Sequence, residues 1–339
     1  MEIRTGLNKY FEIIGLLYSC SHPEFMREEM VKKSVAELGI NAEDLYKKIG
    51  PAHDKYVSVF KKGMAKVKEN VFKFFFEEED DDFIISIQII CANHPEWFEK
   101  DLDETGEEEI ILCFVKELFE EEEVITACPS FDEIIHLLEA TGFSSTSCWK
   151  MMLFLQNPKD KIKGLADIID GNILAYEKAV GGIQHHIEKL LKEFPNGKYL
   201  SRPLHEHTVL TPILVYPAAE LVNLNHGRSS SFVGLYTAEV YQLLENTKTT
   251  KKNLLMVLRA LSDSSKFEIL ISLMKSPKYN LELAEELNLS AATVSHHMNV
   301  LLTHQLVNVD KKDGRVYYTL SKETLKKITE ELNTAFLLS

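Results

Sequence analysis

The sequence lacks paired cysteines and long apolar runs, and both absences restrict the class of protein. Its five cysteines are scattered over 339 residues with no CxxC spacing and no close pair, so we expect reduced thiols and no disulfide framework. The longest apolar run, Phe83 to Ala92, is about half of the roughly 20 residues that a bilayer span needs. No basic segment with a small-residue cleavage site opens the sequence. We therefore expect a cytoplasmic protein that does not bind membranes.

Motifs of common enzyme classes are also missing. The sequence contains no Walker loop, GxGxxG, GxSxG or HExxH. The one local cluster of metal-ligand residue types pairs His205 with His207, whose imidazoles would share a face of an extended strand. A metal site there needs a further ligand, such as His226, His185 or His186, and a surface strand with two histidines is the simpler interpretation. We expect neither catalysis nor a cofactor.

The charge is distributed unevenly between two parts of the chain. The formal net charge is −14, but residues 251–339 hold 12 Lys/Arg and 10 Asp/Glu, a net of +2, which leaves −16 for residues 1–250. The length favours two or so domains, and the polar segment Glu245 to Asn253 is a suitable linker or helix start. We predict an acidic domain over 1–245 and a second domain over 246–339.

The first domain is predicted to be mainly helical. Apolar residues recur at helical spacing in Pro51 to Phe76, Phe131 to Thr141, Ser147 to Gln156 and Lys161 to Lys192. Acidic runs lie between them, and we interpret these runs as solvated helix ends or loops rather than as a partner-binding surface. The runs are Glu77 to Asp82, Glu107 to Glu109 and Glu120 to Glu123.

A change of periodicity after residue 200 predicts a small β element. His207 to Tyr216 and Ser230 to Tyr236 are rich in β-branched and aromatic residues, with the turn signal Asn225-His226-Gly227 between them. The fold class is therefore mainly α, with a small β-hairpin or sheet near residues 207–236. Five aromatic residues could line a ligand pocket or simply fill the core, and the core is the simpler interpretation: Trp97, Trp149, Tyr216, Phe232 and Tyr236.

Two short helical segments lie close together in the last quarter of the chain. Leu281 to Leu287 repeats apolar residues on one face, and Asn280 is a suitable N-cap in front of it. Asn288 follows where a helix end often needs a left-handed residue, and Ser290 can cap a second helix. Two helices joined by so tight a turn predict a helix-turn-helix.

The second helix of this motif has one apolar face and one polar face. At about 100° per residue, Val294, Met298, Leu301 and Gln305 fall on one side. The opposite side carries small and polar side chains, which suit a DNA major groove because Asn pairs with adenine and hydroxyls contact bases or phosphates. His297 is assigned to packing or to a hydrogen bond with the backbone rather than to DNA contact. The residues predicted to contact DNA from this helix are Ala292, Thr293, Ser295, His296, Asn299 and Thr303.

Two strand-like runs follow this helix and predict a hairpin wing. Leu306 to Asp310 and Val316 to Leu320 flank a connection that contains Asp313-Gly314, which is a strong hairpin signal. A hairpin with cations near its tip can meet phosphates or the minor groove. The predicted contacts of the wing are Lys311, Lys312 and Arg315.

From Asn253 to about Leu320, these ordered motifs resemble the ArsR-type, or arsenic-repressor-like, winged-helix regulators. The segments that carry the resemblance are LRALSDSSKFEIL, LAEELNLSAATVSHHMNVLLTHQLV and VNVDKKDGRVYYTL. The resemblance implies a homodimeric repressor that binds double-stranded DNA and is released by an inducer. Many members sense metals through paired thiols before the recognition helix, but residues 251–339 contain no cysteine, which excludes a thiolate site there.

Several alternatives stay open at this point. The acidic domain could sense a small ligand or a partner, could serve protein interaction, or could be an enzyme, and no motif favours the last. A protein-interaction adaptor, with the winged helix used for protein contacts or dimerisation, is the alternative to DNA binding. The last segment, Glu323 to Leu338, is predicted to be an amphipathic helix that packs on its own domain or on a second subunit.

Overall fold

A computed structural model of the chain describes most of the sequence. The described residues are 2–22, 42–65, 69–99, 102, 105–118, 127–139, 143–197, 208–223, 230–247, 251–289, 291–312 and 315–336. Among them, no helix is both long and apolar enough to cross a bilayer. The structure is mainly helical with two small sheets, as the sequence predicts.

Helices dominate the first 200 residues. They are α1 (Lys9–Ser21), α2 (Ala42–Gly63), α3 (Glu69–Phe76), α4 (Asp81–Asn93), α5 (Glu96–Glu99), α6 (Glu107–Leu118), α7 (Phe131–Glu139), α8 (Ser145–Gln156), α9 (Pro158–Gly182) and α10 (Gln184–Glu193), followed by a 3₁₀ turn (Phe194–Asn196). Helices α1 and α4 pack together, and α9 packs along α2. Buried apolar side chains from these helices form one continuous core.

The bounds predicted for the two longest helices are wrong at three points. The helix predicted over Pro51 to Phe76 is two helices, because α2 ends at Gly63 and α3 begins at Glu69. The helix predicted to begin at Pro51 begins nine residues earlier, at Ala42, and Pro51 lies in its interior, where the proline removes one backbone hydrogen bond. The helix predicted over Lys161 to Lys192 is two helices that meet at Ile183, because Gly181 and Gly182 lower helix stability just before that residue. Apolar periodicity alone does not reveal any of these three points.

The acidic runs are only partly solvated. Glu77, Glu78 and Glu79 are exposed, as expected, but Asp80 is buried. Its Oδ1 accepts from the Phe83 N–H at the start of α4 and from the Ser147 hydroxyl at 2.6 Å. Asp80 is therefore a helix cap that joins α4 to α8, which corrects the interpretation of this run as solvent-facing. Glu120 to Glu123 lie outside the described residues.

The β element is a four-stranded sheet. Its strands are β1 (Glu2–Ile3), β2 (Val209–Ile213), β3 (Glu220–Asn223) and β4 (Ser230–Gly234), in the order β1-β2-β4-β3. The two runs that the sequence identifies, β2 and β4, pair in parallel, so of the two predicted alternatives, a hairpin or a small sheet, the sheet is confirmed. The antiparallel partner of β4 is β3, whose short sequence gives little signal. Gly234 is required at the end of β4 because a Cβ there would collide with the carbonyl of Pro217.

Buried polar side chains fasten this sheet to the helices. Glu12 of α1 is fully buried and accepts from the N–H groups of Leu214 and Val215, just after β2, and from the Tyr56 hydroxyl of α2. Burial raises the pKa of Glu12 to about 7, although these three hydrogen bonds act to lower it. His53 contacts the Val215 carbonyl at 3.1 Å. Both side chains hold the chain that leaves β2 against the helices.

The aromatic residues divide between core and surface. Trp97, Tyr216, Phe232 and Tyr236 are buried, which agrees with the simpler interpretation made for them. Trp149 is 63% exposed, so the prediction of a core or pocket position is wrong for that residue. Helix α11 (Thr237–Thr247) then follows β4, so part of the expected linker is helical.

The C-terminal region has its own hydrophobic core. It contains α12 (Lys251–Ser262), α13 (Ser264–Lys275), α14 (Asn280–Leu287), α15 (Ala291–Thr303), β5 (Val307–Lys312), β6 (Arg315–Leu320) and α16 (Lys322–Phe336). In α16, Ile328 is buried in this core, while Phe336 is 68% exposed. The last helix thus packs back on its own region through its middle, and its end leaves an apolar side chain uncovered.

Candidate nucleic-acid interface

The turn between α14 and α15 has the geometry that the sequence predicts. Asn288 adopts φ 53° and ψ 45°, the left-handed conformation that Asn tolerates better than most residues. The N-cap prediction is wrong by one residue, because Tyr279 occupies the cap position and its N–H donates to the Glu282 carboxylate at 3.0 Å. Asn280 is the first helical residue instead. Ser290, the predicted cap of α15, lies outside the described residues.

One face of α15 is buried in the core. Val294, Met298 and Leu301 are all completely inaccessible to solvent, as the helical periodicity predicts. Gln305 was predicted on the same side but is exposed, because α15 ends at Thr303 and Gln305 adopts a left-handed φ of 56°. The anchoring face of the helix is therefore shorter than predicted.

The opposite face of α15 carries polar side chains. Ser295 and Asn299 are exposed, and Thr293 and Thr303 are half-buried. The Thr303 hydroxyl donates to the Asn299 carbonyl at 2.8 Å, so this hydroxyl proton is committed to the helix and only the Thr303 oxygen is left to accept. The side chains of Ala292 and His296 lie outside the described part of the structure. His297, assigned to packing, is half-buried.

The wing is a two-stranded antiparallel hairpin. Val307 pairs with Leu320 at one end, and Lys312 pairs with Arg315 at the other, which leaves a two-residue Asp313-Gly314 connection. The predicted connection was longer, because the hydrogen-bonded ladder extends into Lys311, Lys312 and Arg315. Their backbones lie at the end of the hairpin, and their side chains are outside the described residues.

Three consecutive residues join α14 to the wing and to α15, and the sequence prediction missed these contacts, although it named Asn280 as a helix cap. The backbone of Lys278 exchanges two hydrogen bonds with Tyr318 of β6, at 2.7 and 3.2 Å. The Tyr279 ring packs edge-on against Tyr317, with centroids 5.8 Å apart. The Asn280 Nδ2 donates to the Ser295 Oγ at 2.7 Å. We call residues 278–280 the junction; an isolated bridge of this kind leaves no periodic signal.

Charged groups around the junction are paired. The Lys278 ammonium contacts the Glu286 carboxylate and donates to the Ser272 hydroxyl at 2.9 Å. The hydrogen bond from Lys278, with a second from Ser272, holds the pKa of Glu286 below its ordinary value. Asp263 caps α13 by accepting a hydrogen bond from the Lys266 N–H, and this bond lowers the pKa of the Asp263 carboxyl. The contacts of Lys278 therefore join α13 to α14, whereas Asp263 fixes only the start of α13.

No metal site is found in the described ranges, where no three His, Cys, Asp or Glu side chains are grouped to hold an ion. The weak candidate pair His205 and His207 lies outside the described residues, as does His226. Of the other candidate ligands, His186 is hydrogen-bonded through its Nε2 to the Tyr236 hydroxyl.

The C-terminal region is a winged helix-turn-helix, which is a class of DNA-binding domain. This class is defined by the pair of helices with a tight turn, the exposed polar face of the second helix and the attached hairpin. The family described as "Bacterial regulatory protein, arsR family" matches residues 263–309.

Named relatives agree with this match. The arsenical resistance operon repressor of Staphylococcus aureus is 37% identical over 82 residues, which cover 24% of this chain and 79% of the relative. Its counterpart in Staphylococcus xylosus is 35% identical over 82 residues, with the same coverage. The transcriptional repressor SdpR of Bacillus subtilis (strain 168) is 30% identical over 70 residues, 21% of this chain and 78% of the relative.

The chain belongs to the arsR family of bacterial regulatory proteins. It is a DNA-binding transcriptional regulator and not an enzyme. The similarity lies in the C-terminal part of the chain, so the acidic helical region is an addition to the part shared with these relatives.

Proposed function

We propose that the protein is a homodimeric repressor that binds double-stranded DNA through residues 246–339 and responds to an effector through residues 1–245. The observation that carries this proposal is the division of α15 into two faces. Val294, Met298 and Leu301 anchor the helix in the core, while Ser295 and Asn299 are exposed on the other side. A firmly packed helix with a small polar outer face is suited to lie in a major groove.

The individual roles follow from side-chain chemistry. Asn299 can pair with adenine through its amide, and Ser295 and Thr293 can contact bases or phosphates. Thr303 can accept a hydrogen bond through its oxygen, and Ala292 and His296 belong to the predicted set by the helical periodicity of the sequence. Lys311, Lys312 and Arg315 would bind phosphates or enter the minor groove, since the hairpin register places all three at the end of the wing.

A dimer is supported by apolar residues that the described structure leaves exposed. Helices α12 and α16 contact each other, and they expose Leu255 and Phe336 at 58% and 68%. Large exposed apolar side chains on adjoining helices favour burial against a second subunit. Two identical subunits would then read two half-sites of a symmetric operator.

We assign the effector response to the acidic region because of its separate core and its charge. Its buried residues form one hydrophobic cluster, and those of the winged helix form another. Residues 1–250 carry a net charge of −16 and repel DNA, so the placement of this part of the chain relative to the winged helices affects DNA affinity. The effector would be a small molecule or a protein. A thiolate-bound metal near α15 is excluded because residues 251–339 lack cysteine.

The test is fluorescence-anisotropy binding of the full-length protein to duplexes selected from genomic DNA, across several salt concentrations. The fragment 246–339 is measured in parallel, which also tests the proposed domain division. Specific binding by both, with tighter binding by the full-length protein, supports a DNA-binding dimer that the first domain organises.

Two other outcomes are informative. Binding by the fragment alone would make the acidic domain inhibitory, and a ligand or partner would then have to relieve it. Binding by neither would contradict the proposal and favour the alternative, an adaptor whose winged helix makes protein contacts.

A further inference from the structure

The hydrogen bond between Asn280 and Ser295 connects α14 to the exposed face of α15. As the second helix of the helix-turn-helix, α15 is called the recognition helix below. Asn280 begins α14, and its Nδ2 lies 2.7 Å from the Ser295 Oγ of α15. Its neighbours Lys278 and Tyr279 are held by β6 of the wing. Asn280 is therefore fixed from its own helix and from the wing before any DNA is bound.

The direction of this bond determines what the Ser295 hydroxyl can still do. A serine hydroxyl has one proton to donate and lone pairs to accept. An amide Nδ2 can only donate, so the Ser295 oxygen accepts from Asn280 and keeps its own proton. Among the described residues, Ser295 makes no other side-chain hydrogen bond. Its O–H is thus left to donate outward from the exposed face.

We infer that Asn280 is a positioning residue that makes Ser295 a hydrogen-bond donor toward DNA. Ser295 would then favour an acceptor, namely O6 or N7 of guanine, O4 of thymine or N7 of adenine, over the amino group of cytosine, because its proton is free and one of its two oxygen lone pairs is taken by Asn280. This inference rests on the proposed function, because it requires that α15 faces the major groove. It adds a residue of α14 to the specificity of the protein.

Reversal of the bond is the test. In Asn280→Asp the new carboxylate accepts, so the Ser295 proton turns inward and its oxygen is left to accept from DNA. Bound duplexes are selected from a pool that is randomised over the bound site. The selection is carried out separately with four full-length proteins: wild type, Ser295→Ala, Asn280→Ala and Asn280→Asp. Ser295→Ala identifies the position that Ser295 reads, as the one where base preference is lost.

At that position we expect wild type to favour guanine or thymine over cytosine. Asn280→Asp should lower this ratio by about tenfold, the size of one modest base-contact discrimination. Asn280→Ala should lower it by less, because the hydroxyl is then free to rotate into either role. The preference at all other positions should stay as in wild type, which loss of fold would not produce.

Two controls separate this effect from the added negative charge. Asn308→Asp adds the same charge at an exposed site on β5 and should weaken all sequences alike without a change in preference. In a Ser295→Ala background, Asn280→Asp should also leave the preference unchanged. Thermal unfolding of each variant, monitored by circular dichroism, checks that the variant folds.

Three results would overturn the inference. Unchanged preference at the Ser295-dependent position in both Asn280 variants would show that Asn280 does not set the polarity. A Ser295→Ala variant that weakens binding to all sequences alike, without a change in base preference, would mean that Ser295 donates to a phosphate. If wild type selects no sequence at all, the proposed function itself fails, and this outcome is distinct from the other two.

Discussion

The two regions of the molecule use polar side chains in opposite ways. In the acidic helical region, Glu12, His53 and Gln88 are buried and bonded to backbone or to other side chains far along the chain. In the winged helix, Ser295 and Asn299 are exposed while the apolar residues beneath them are buried. The first arrangement holds a fold together, and the second presents chemistry to a partner.

This difference explains why only one region reveals its function from its residues. A buried polar residue is satisfied inside the protein and gives no information about a ligand. An exposed polar residue on a well-packed helix keeps hydrogen-bonding capacity that faces outward, so its chemistry is available for recognition. The variants below separate the two regions or test the surface of the second one.

The largest expected effect comes from the core beneath the recognition helix. Met298→Ala should lower the stability of the winged helix by about 2 to 5 kcal/mol, because it removes a completely buried side chain and leaves a cavity. Hydrogen exchange measured by mass spectrometry should show faster exchange in α12 to α16 only. The matched control Met274→Ala alters a methionine that is 57% exposed and should change stability by less than about 0.5 kcal/mol.

Tryptophan fluorescence decides whether the two cores are independent. Both tryptophans, Trp97 and Trp149, lie in the first region, so their emission reports on that region alone. The denaturation midpoint from this emission should be the same in Met298→Ala and wild type. A shift in the midpoint would show that the two cores unfold together and would contradict the proposed domain division.

A pH effect of similar size is expected in the first region. Burial raises the pKa of Glu12 from 4.5 to about 7, so the folded state binds more protons than the unfolded state between these values. Stability contributed through this group is therefore present below pH 4.5 and is lost as pH rises toward 7, by about 3 kcal/mol in total.

The comparison with Glu12→Gln isolates this contribution. Burial lowers the pKa of His53, and this shift acts in the opposite direction. At pH values below the ordinary pKa of histidine, the unfolded state binds more protons than the folded state, so stability rises with pH. The difference in unfolding free energy between wild type and Glu12→Gln should nevertheless change with pH between 4.5 and 7. A difference that is independent of pH would mean that Glu12 is ionised in the fold throughout this range.

On the recognition surface, Asn299→Ala should weaken binding at the cognate site by about 1 to 3 kcal/mol, which is the loss expected for one base contact. The preference should flatten at one position of the site, as measured by selection from a randomised pool. The side chain is exposed, so the stability of the fold should be unaffected. Unchanged preference would remove Asn299 from the residues that read bases.

The smallest loss of DNA affinity per substituted residue is expected at the wing, and this loss should depend least on the DNA sequence. Replacement of Lys311, Lys312 and Arg315 by Ala should weaken binding to all sequences alike. The slope of log affinity against log salt should decrease by up to about 3, roughly one for each phosphate that the wing no longer neutralises. Anisotropy titrations at several salt concentrations measure this slope, and an unaltered slope would show that the wing does not touch DNA.

Local patterns were sufficient for the winged helix because its elements are short and contiguous. The buried face of α15, the left-handed Asn288 and the hairpin wing each depend on residues a few positions apart, and the sequence identified them. It failed where an element ends, as at Gln305, and where a contact has no period, as at the junction.

For this protein, the sequence by itself determined the class of fold, the two-faced recognition helix and the uneven charge. Only the tertiary structure decided the parallel pairing of β2 with β4, the burial of Glu12 against backbone groups 202 and 203 residues away, and the bond from Asn280 to Ser295. The physical reason is that helical and strand periods depend on neighbouring residues. Strand order, burial of a charged group and a single side-chain contact depend on which distant segments the packed core brings together.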